Sequence, residues 1–296
     1  MLKQKIEGII TALLTPFTKE GDIDEKALRE LVEFQVKSGI HGLYPCGTVG
    51  EGPTMSIEQR KHVAEIVVDQ VKGRIPVIVH AGAINTTMTV ELAEHAEKIG
   101  ADAVGCVTPY YYTLDDEAII EHYRQVANAV HIPIFIYNIP HRTTINITPD
   151  LMVRLAKLPN VVGVKDSSRN FIQLCEYIEK LGKDFSVICG SDAYVIPALF
   201  MGAKGSISAI SNVFPELLTE SYSAYKKGDY EKAVRLQHKI NAVRRALEKP
   251  TIIVLKEALR MRGFKAGTVK NPLRPMTEKE IAKLRDSLKE LGLIKS

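Results

Sequence analysis

The apolar run Val161-Val162-Gly163-Val164 is preceded by Pro159-Asn160 and closed by Lys165-Asp166-Ser167-Ser168. β-Branched residues behind such a turn read as a buried parallel strand, with Lys165 where the strand opens into a loop. An amine held against an apolar wall loses the hydration of its charged form. Its pKa falls, and it becomes a nucleophile toward carbonyl carbon. A lysine at a strand end, taken singly, more often snorkels to solvent. Its neighbours in space decide.

Other strand-like runs end in residues of matching chemistry. Cys46-Gly47-Thr48-Val49-Gly50-Glu51-Gly52 has glycines that let backbone amides converge on a carboxylate, and Thr48 adds a hydroxyl. No Gly-Lys-Ser/Thr follows, so this is not a nucleotide-phosphate loop. Further runs end in Thr108-Pro109-Tyr110-Tyr111-Tyr112, Tyr137-Asn138-Ile139-Pro140-His141-Arg142-Thr143, Gly190-Ser191-Asp192 and Ile207-Ser208. One tyrosine at a strand end is usually packing, whereas hydroxyls and a lysine at successive strand ends of one face indicate a reaction site. The eight histidines, at 41, 62, 80, 95, 122, 131, 141 and 238, show no HxxxH or HxH spacing, so no metal is expected. Only His80 sits at a strand end, and a lone histidine is more often a hydrogen-bonded core group. No nucleotide or flavin motif is present, and no cofactor is expected.

These residues need a scaffold. Strand patterns at 9–14, 42–46, 77–80, 103–107, 134–137, 161–164, 186–189 and 205–208 alternate with helical patterns at 25–38, 57–71, 87–99, 116–130, 148–158 and 172–181. Ser56 with Glu58 and Gln59, and Thr148-Pro149-Asp150, start helices properly. Eight strand–helix units in about 225 residues fit a (β/α)8 TIM barrel, an α/β fold. A doubly wound sheet would need a glycine-rich turn after the first strand, and none follows. Helical patterns alone, at 216–227, 230–246, 252–262 and 278–291, continue to the end. The expected division is a barrel over 1–225 and a C-terminal helical subdomain over 226–296, packed on the barrel.

The chain has 296 residues, 45% hydrophobic and 25% charged, with a net charge of +4 from 39 basic and 35 acidic side chains. The charges interleave along the chain, so no nucleic-acid partner is expected. Cys46, Cys106, Cys175 and Cys189 form no CxxC pair and read as reduced thiols. No apolar stretch is long enough to span a bilayer, and Met1-Leu2-Lys3-Gln4-Lys5 lacks a signal-peptide core. The expectation is a cytoplasmic protein with no membrane partner.

Gly47-Thr48-Val49-Gly50-Glu51, Pro109-Tyr110-Tyr111, Tyr137-Asn138-Ile139-Pro140, Gly163-Val164-Lys165-Asp166 and Gly202-Ala203-Lys204-Gly205-Ser206-Ile207-Ser208 together resemble the dihydrodipicolinate synthase / N-acetylneuraminate lyase family. The resemblance runs from Ala12-Leu13-Leu14-Thr15-Pro16-Phe17 to Lys270-Asn271-Pro272-Leu273-Arg274-Pro275. It implies a class I lyase, or aldolase, that handles pyruvate and an aldehyde through a lysine imine. By that resemblance Lys165 condenses with pyruvate, and Tyr137 moves protons at the carbinolamine and at the aldol oxygen. Thr48 and Tyr111 complete a hydroxyl relay, Tyr111 reaching in from a neighbouring subunit. The amides at Thr48 and Val49 hold the pyruvate carboxylate, and Ile207 turns its carbonyl to the reacting pyruvate. Gly190 belongs to the substrate site at strand seven. Arg142 corresponds to the arginine that grips aspartate semialdehyde. A homodimer is then the minimum unit, and a homotetramer is the common assembly.

The sequence also departs from the synthase pattern. Val49 stands where a second threonine is usual, Tyr112 where asparagine is usual, and Thr144 where glycine is usual. Gly190-Ser191-Asp192-Ala193 lacks the acidic pair of the sialic acid lyases. The acceptor therefore stays open at this stage. Aspartate semialdehyde comes first, followed by the aldehydes of 2-keto-3-deoxy sugar acid aldolases and then N-acetylmannosamine, as in N-acetylneuraminate lyase. A non-catalytic 2-oxo-acid-binding regulator is the reading from another class.

Overall fold

Parallel strands buried on both faces dictate the architecture. The computed structural model describes residues 6–247 and 251–294. Residues 1–5, read above for the absence of a signal peptide, lie outside the described residues. β1 (Gly8–Thr11), β2 (Gly42–Leu43), β3 (Ile78–His80), β4 (Ala103–Val107), β5 (Ile134–Asn138), β6 (Val161–Asp166), β7 (Ser186–Cys189) and β8 (Gly205–Ser208) bond in the order β2-β1-β8-β7-β6-β5-β4-β3. A parallel bridge between Leu43 and Val77 joins the two remaining edges. The sheet thereby closes into the expected (β/α)8 barrel.

Helices α1 (Glu25–Lys37), α2 (Ile57–Val71), α3 (Thr86–Lys98), α4 (Asp116–Ala129), α5 (Pro140–Thr143), α6 (Pro149–Leu155), α7 (Phe171–Leu181) and α8 (Val195–Met201) connect the strands. Most are capped by a polar side chain. Asp24, Asn85, Asp115, Thr148 and Asn170 each accept from a backbone N–H of the first turn, and Ser56 forms a full capping box with Gln59. After β8 come α9 (Pro215–Lys226), α10 (Tyr230–Ala246), α11 (Ile252–Met261) and α12 (Glu278–Glu290). Among the described residues no helix is long and apolar enough to cross a membrane.

The first two strands are shorter than their apolar runs, because the chain past Thr11 and Leu43 bends into loops at the barrel mouth. Leu13 N–H donates to the Tyr44 carbonyl there, 3.0 Å away. Two helices were not anticipated, α5 and α8. The segment of α8 is apolar on every side with Pro197 inside it, so it shows no amphipathic period.

Strand alternation sorts the side chains. Ile10, Tyr44, Ile78, Phe135, Tyr137 and Ile207 fill the barrel interior, while Ile9, Leu43, Val79, Ile136, Val164 and Val187 meet the helices. Interior space is made by glycine. A Cβ at Gly105 would lie 2.3 Å from Tyr44 Oη. Gly105→Ala is expected to cost about 1–3 kcal/mol by overpacking. Urea unfolding checks this, and an unchanged midpoint would show that Tyr44 has room to move.

Candidate active site

A cavity of about 490 Å³ opens at the C-terminal end of the strands. Its inner wall includes Thr48, Val49, His80 and Tyr137, Arg142 also lines it, and Thr251–Ile253 with Pro272 and Leu273 form the outer wall. This is the face where (β/α)8 barrels carry out chemistry.

Lys165 is the penultimate residue of β6 and faces the barrel interior, only 4% exposed. Its Nζ lies over the Tyr137 ring at 3.8 Å and over the Tyr44 ring at 4.5 Å from the ring centroids. The register of β5 and β6 sets Tyr137 directly opposite Lys165. Burial pushes the Lys165 pKa down, opposed by Tyr137 and by the buried Asp192 carboxylate. Tyr44 is buried too, and desolvation raises its pKa well above the ordinary value. It remains a neutral ring under the amine.

The loop after β2 is tightly folded. Glu51 N–H donates to the Thr48 carbonyl at 3.2 Å, and Gly52 N–H to the Gly47 carbonyl at 3.0 Å. The backbone N–H groups of Thr48 and Val49 have no acceptor among the described residues. These free donors suit a carboxylate. Thr48 Oγ1 lies 3.5 Å from Tyr137 Oη, at the outer limit of a hydrogen bond.

Behind the interior pair, the alternate residues form a polar network. Asn138 Nδ2 donates to Asp166 Oδ1 at 2.9 Å and to Asn146 Oδ1 at 3.0 Å, and Asn138 Oδ1 accepts from Ile147 N–H at 3.0 Å. Ser168 Oγ donates to Asp166 Oδ2 at 2.7 Å, and Gln173 Nε2 to Tyr177 Oη at 3.0 Å. Desolvation raises the Asp166 pKa, with Ser168 and Asn138 opposing. The network ties the ends of β5 and β6 to α7, which fixes the two strand positions carrying Tyr137 and Lys165.

Among the anticipated residues, Thr48, Val49, Tyr137 and Arg142 share the cavity, with Lys165 packed against Tyr137. Arg142 is exposed, and no ion pair holds it among the described residues. Ile207 lies in the interior cluster beside Tyr137, outside the cavity wall. Gly190 also lies outside it, where β6 and β7 meet. Its N–H donates to the Asp166 carbonyl at 2.7 Å, and a Cβ there would sit 2.0 Å from Ser167 Oγ. Tyr111 does not reach the cavity of its own chain. It is 79% exposed, at φ 91°, with Tyr112 packed edge-on against it. A tyrosine held at positive φ is strained.

His80 is a core group engaged by Arg60. The Arg60 guanidinium donates to the His80 and Gly82 carbonyls at 2.7 and 3.0 Å and lies 3.3 Å from His80 Nδ1. Desolvation, with Arg60 and Lys165 adding repulsion, pushes the His80 pKa well below its ordinary value. Sequence reasoning missed Tyr44, the Asn138–Asp166 network and the outer wall. Tyr44 was legible in principle, since it falls on the interior-facing positions of its strand. The outer wall had no such signal.

The dihydrodipicolinate synthetase family matches residues 5–291. A 4-hydroxy-tetrahydrodipicolinate synthase of Bartonella bacilliformis is 42% identical over 294 residues, covering 98% of this chain and 99% of the relative. The crystal structure of dihydrodipicolinate synthase from Aquifex aeolicus superposes with a TM-score of 0.93 at 38% identity, covering 98% of this chain and all of that one (100%). YagE, a prophage protein of E. coli K12 solved with pyruvate, gives a TM-score of 0.94 at 31% identity, with coverage of 98% and 100%.

Only the unprotonated amine forms an imine, and burial lowers the pKa of Lys165. The rate of borohydride trapping of a 2-oxo acid on Lys165 is therefore expected to rise with pH and to level off below 10.5, the ordinary lysine value. Intact-mass kinetics read this directly, with Lys165→Ala as the blank. A rate still climbing past that pH would mean the amine is solvated.

Proposed function

The chain belongs to the dihydrodipicolinate synthetase family, and on that premise we propose that it joins pyruvate to aspartate semialdehyde through a Schiff base on Lys165. It is an enzyme, a class I carbon–carbon lyase. The observation that carries the reading is the buried amine of Lys165 against Tyr137, at a cavity with two free backbone amides and an unpaired arginine.

In the proposed cycle the pyruvate carboxylate takes the Thr48 and Val49 amides, which turns its ketone toward Lys165. The neutral amine adds to the ketone carbon. Tyr137 gives a proton to the carbinolamine oxygen, water leaves, and a protonated imine remains. The iminium draws electrons from the neighbouring methyl, which gives a proton to the Tyr137 phenolate left by the dehydration and becomes an enamine. The enamine carbon attacks the aldehyde, Tyr137 protonates the aldol oxygen, and water frees the product from Lys165. Thr48 and Tyr111 of the partner subunit return protons to Tyr137.

Arg142 supports an aldehyde bearing a carboxylate, since guanidinium matches a carboxylate fork to fork. The acceptor side of the cavity is otherwise mostly apolar, with Ile139, Ile252, Ile253 and Leu273. Such a wall offers few partners to the hydroxyls of a sugar chain. Arg142→Ala is expected to raise the KM for aspartate semialdehyde by about 10- to 100-fold, the worth of a charged hydrogen bond, with the pyruvate KM little changed. Coupled kinetics with each aldehyde test this. Turnover of glyceraldehyde or N-acetylmannosamine without aspartate semialdehyde would overturn the proposed acceptor.

The proposed assembly is a homodimer at least, and a homotetramer in full. The exposed, strained Tyr111 supports the first contact, and the exposed Phe200, Met201, Tyr230 and Val234 support a second. A cytoplasmic location is proposed on the four free cysteines. Tyr111→Phe subunits mixed with Lys165→Ala subunits are expected to recover activity, because one hybrid site then carries both native groups. Mixed dimers with no activity would rule out a shared site.

A further inference from the structure

Glu51 closes the loop that offers the Thr48 and Val49 amides, and its side chain is buried on the side of the C-terminal helices. Glu51 Oε1 lies 2.6 Å from Lys256 Nζ, with side-chain exposures of 0% and 1%. Its other oxygen, Oε2, accepts the backbone N–H of Lys270 at 2.8 Å. Lys256 Nζ also donates to the Thr268 carbonyl and sits 4.8 Å from the Phe17 ring centroid.

Both partners lead to the cavity. Lys256 is one helical turn along α11 from Ile252 and Ile253, so fixing its ammonium fixes the start of that helix. Lys270 is two residues before Pro272 and three before Leu273. These two segments make the outer wall of the cavity that Tyr137 also lines.

The loop end of this connection is held by the barrel itself. Thr15 Oγ1 donates to the Gly50 carbonyl at 2.8 Å, and a Cβ on Gly52 would lie 1.9 Å from the Cys46 carbonyl oxygen. Glu51 sits at φ 59°, a conformation unfavourable for glutamate that aims its side chain outward from the loop. The barrel loop is thus the fixed anchor, and the C-terminal segments are what it holds. A fully buried ion pair is weak as a source of stability alone, since apolar replacements of similar volume do as well.

We propose that Glu51 is a positioning residue for the aldehyde half of the active site, its two carboxylate oxygens each holding one of the two segments of the cavity's outer wall. This rests on the pyruvate–aldehyde reading of the site. Loss of the clasp displaces the outer wall and leaves the Lys165 end unchanged.

The test compares wild type with the double variant Glu51→Gln/Lys256→Met, which removes both charges and keeps both shapes. Glu51→Asp serves as a second variant, keeping the charge and withdrawing it from both partners. Pyruvate trapping by borohydride and the aldehyde KM at saturating pyruvate are measured on each. The expected result is trapping within about twofold of wild type and an aldehyde KM raised about tenfold or more in both variants. Either an unchanged aldehyde KM in a folded variant or a fall in trapping parallel to the rise in KM overturns the proposal. Wild type that traps no pyruvate overturns the underlying reading, and the proposal with it.

Discussion

Taking the Lys165 amine out of water and setting it between two tyrosine rings is the constraint to which the rest of the barrel answers. An ammonium ion there loses hydration that the ring faces return only in part, so the neutral form gains population. Tyr44 and Tyr137 line that buried position, since each turns a broad apolar face to the amine and carries its hydroxyl at the ring edge.

The strand period turns that requirement into a division of labour. At the ends of β5 and β6, inward positions hold Tyr137 and Lys165, and the outward positions beside them hold Asn138 and Asp166. The inward pair packs together in the barrel interior, and the outward pair holds hydrogen bonds to α7 and the preceding loop. A one-residue slip would exchange the two sets, so a register error would abolish both site and support. Gly105 works from within, leaving room for the Tyr44 ring on which the amine rests.

Electrostatics are uneven across the site. Arg60 and His80 bring buried donors to one side, and desolvation lowers the pKa of each. Asp192 lies buried on the other side, where its Oδ2 accepts from the Ala209 and Ile210 amides, each at 3.3 Å. The Asp192 carboxylate tempers the fall of the Lys165 pKa. Lys256 shows the same balance farther out, brought down to about 8 by burial even with Glu51 beside it.

Much of this was legible in the sequence, because it depends on local patterns. Eight apolar runs alternating with capped helices imply a barrel, and a strand-end lysine against apolar residues reads as a nucleophile toward carbonyls, since strand period and strand ends are properties of short segments. The imine itself is what the family resemblance implies. The position of α8 was not legible, because its segment is apolar all round and carries no period. Tyr111 can be read as a motif, but its exposure and positive φ belong to the folded chain. The outer wall is the clearest case of what tertiary structure alone decided. Ile252, Ile253 and Leu273 carry no chemical signature, and they share the cavity lining with Tyr137 in a fold where Glu51 meets Lys256 across 205 residues of chain. A pairing at that separation is set by how the C-terminal helices dock on the closed barrel, and no local pattern encodes it.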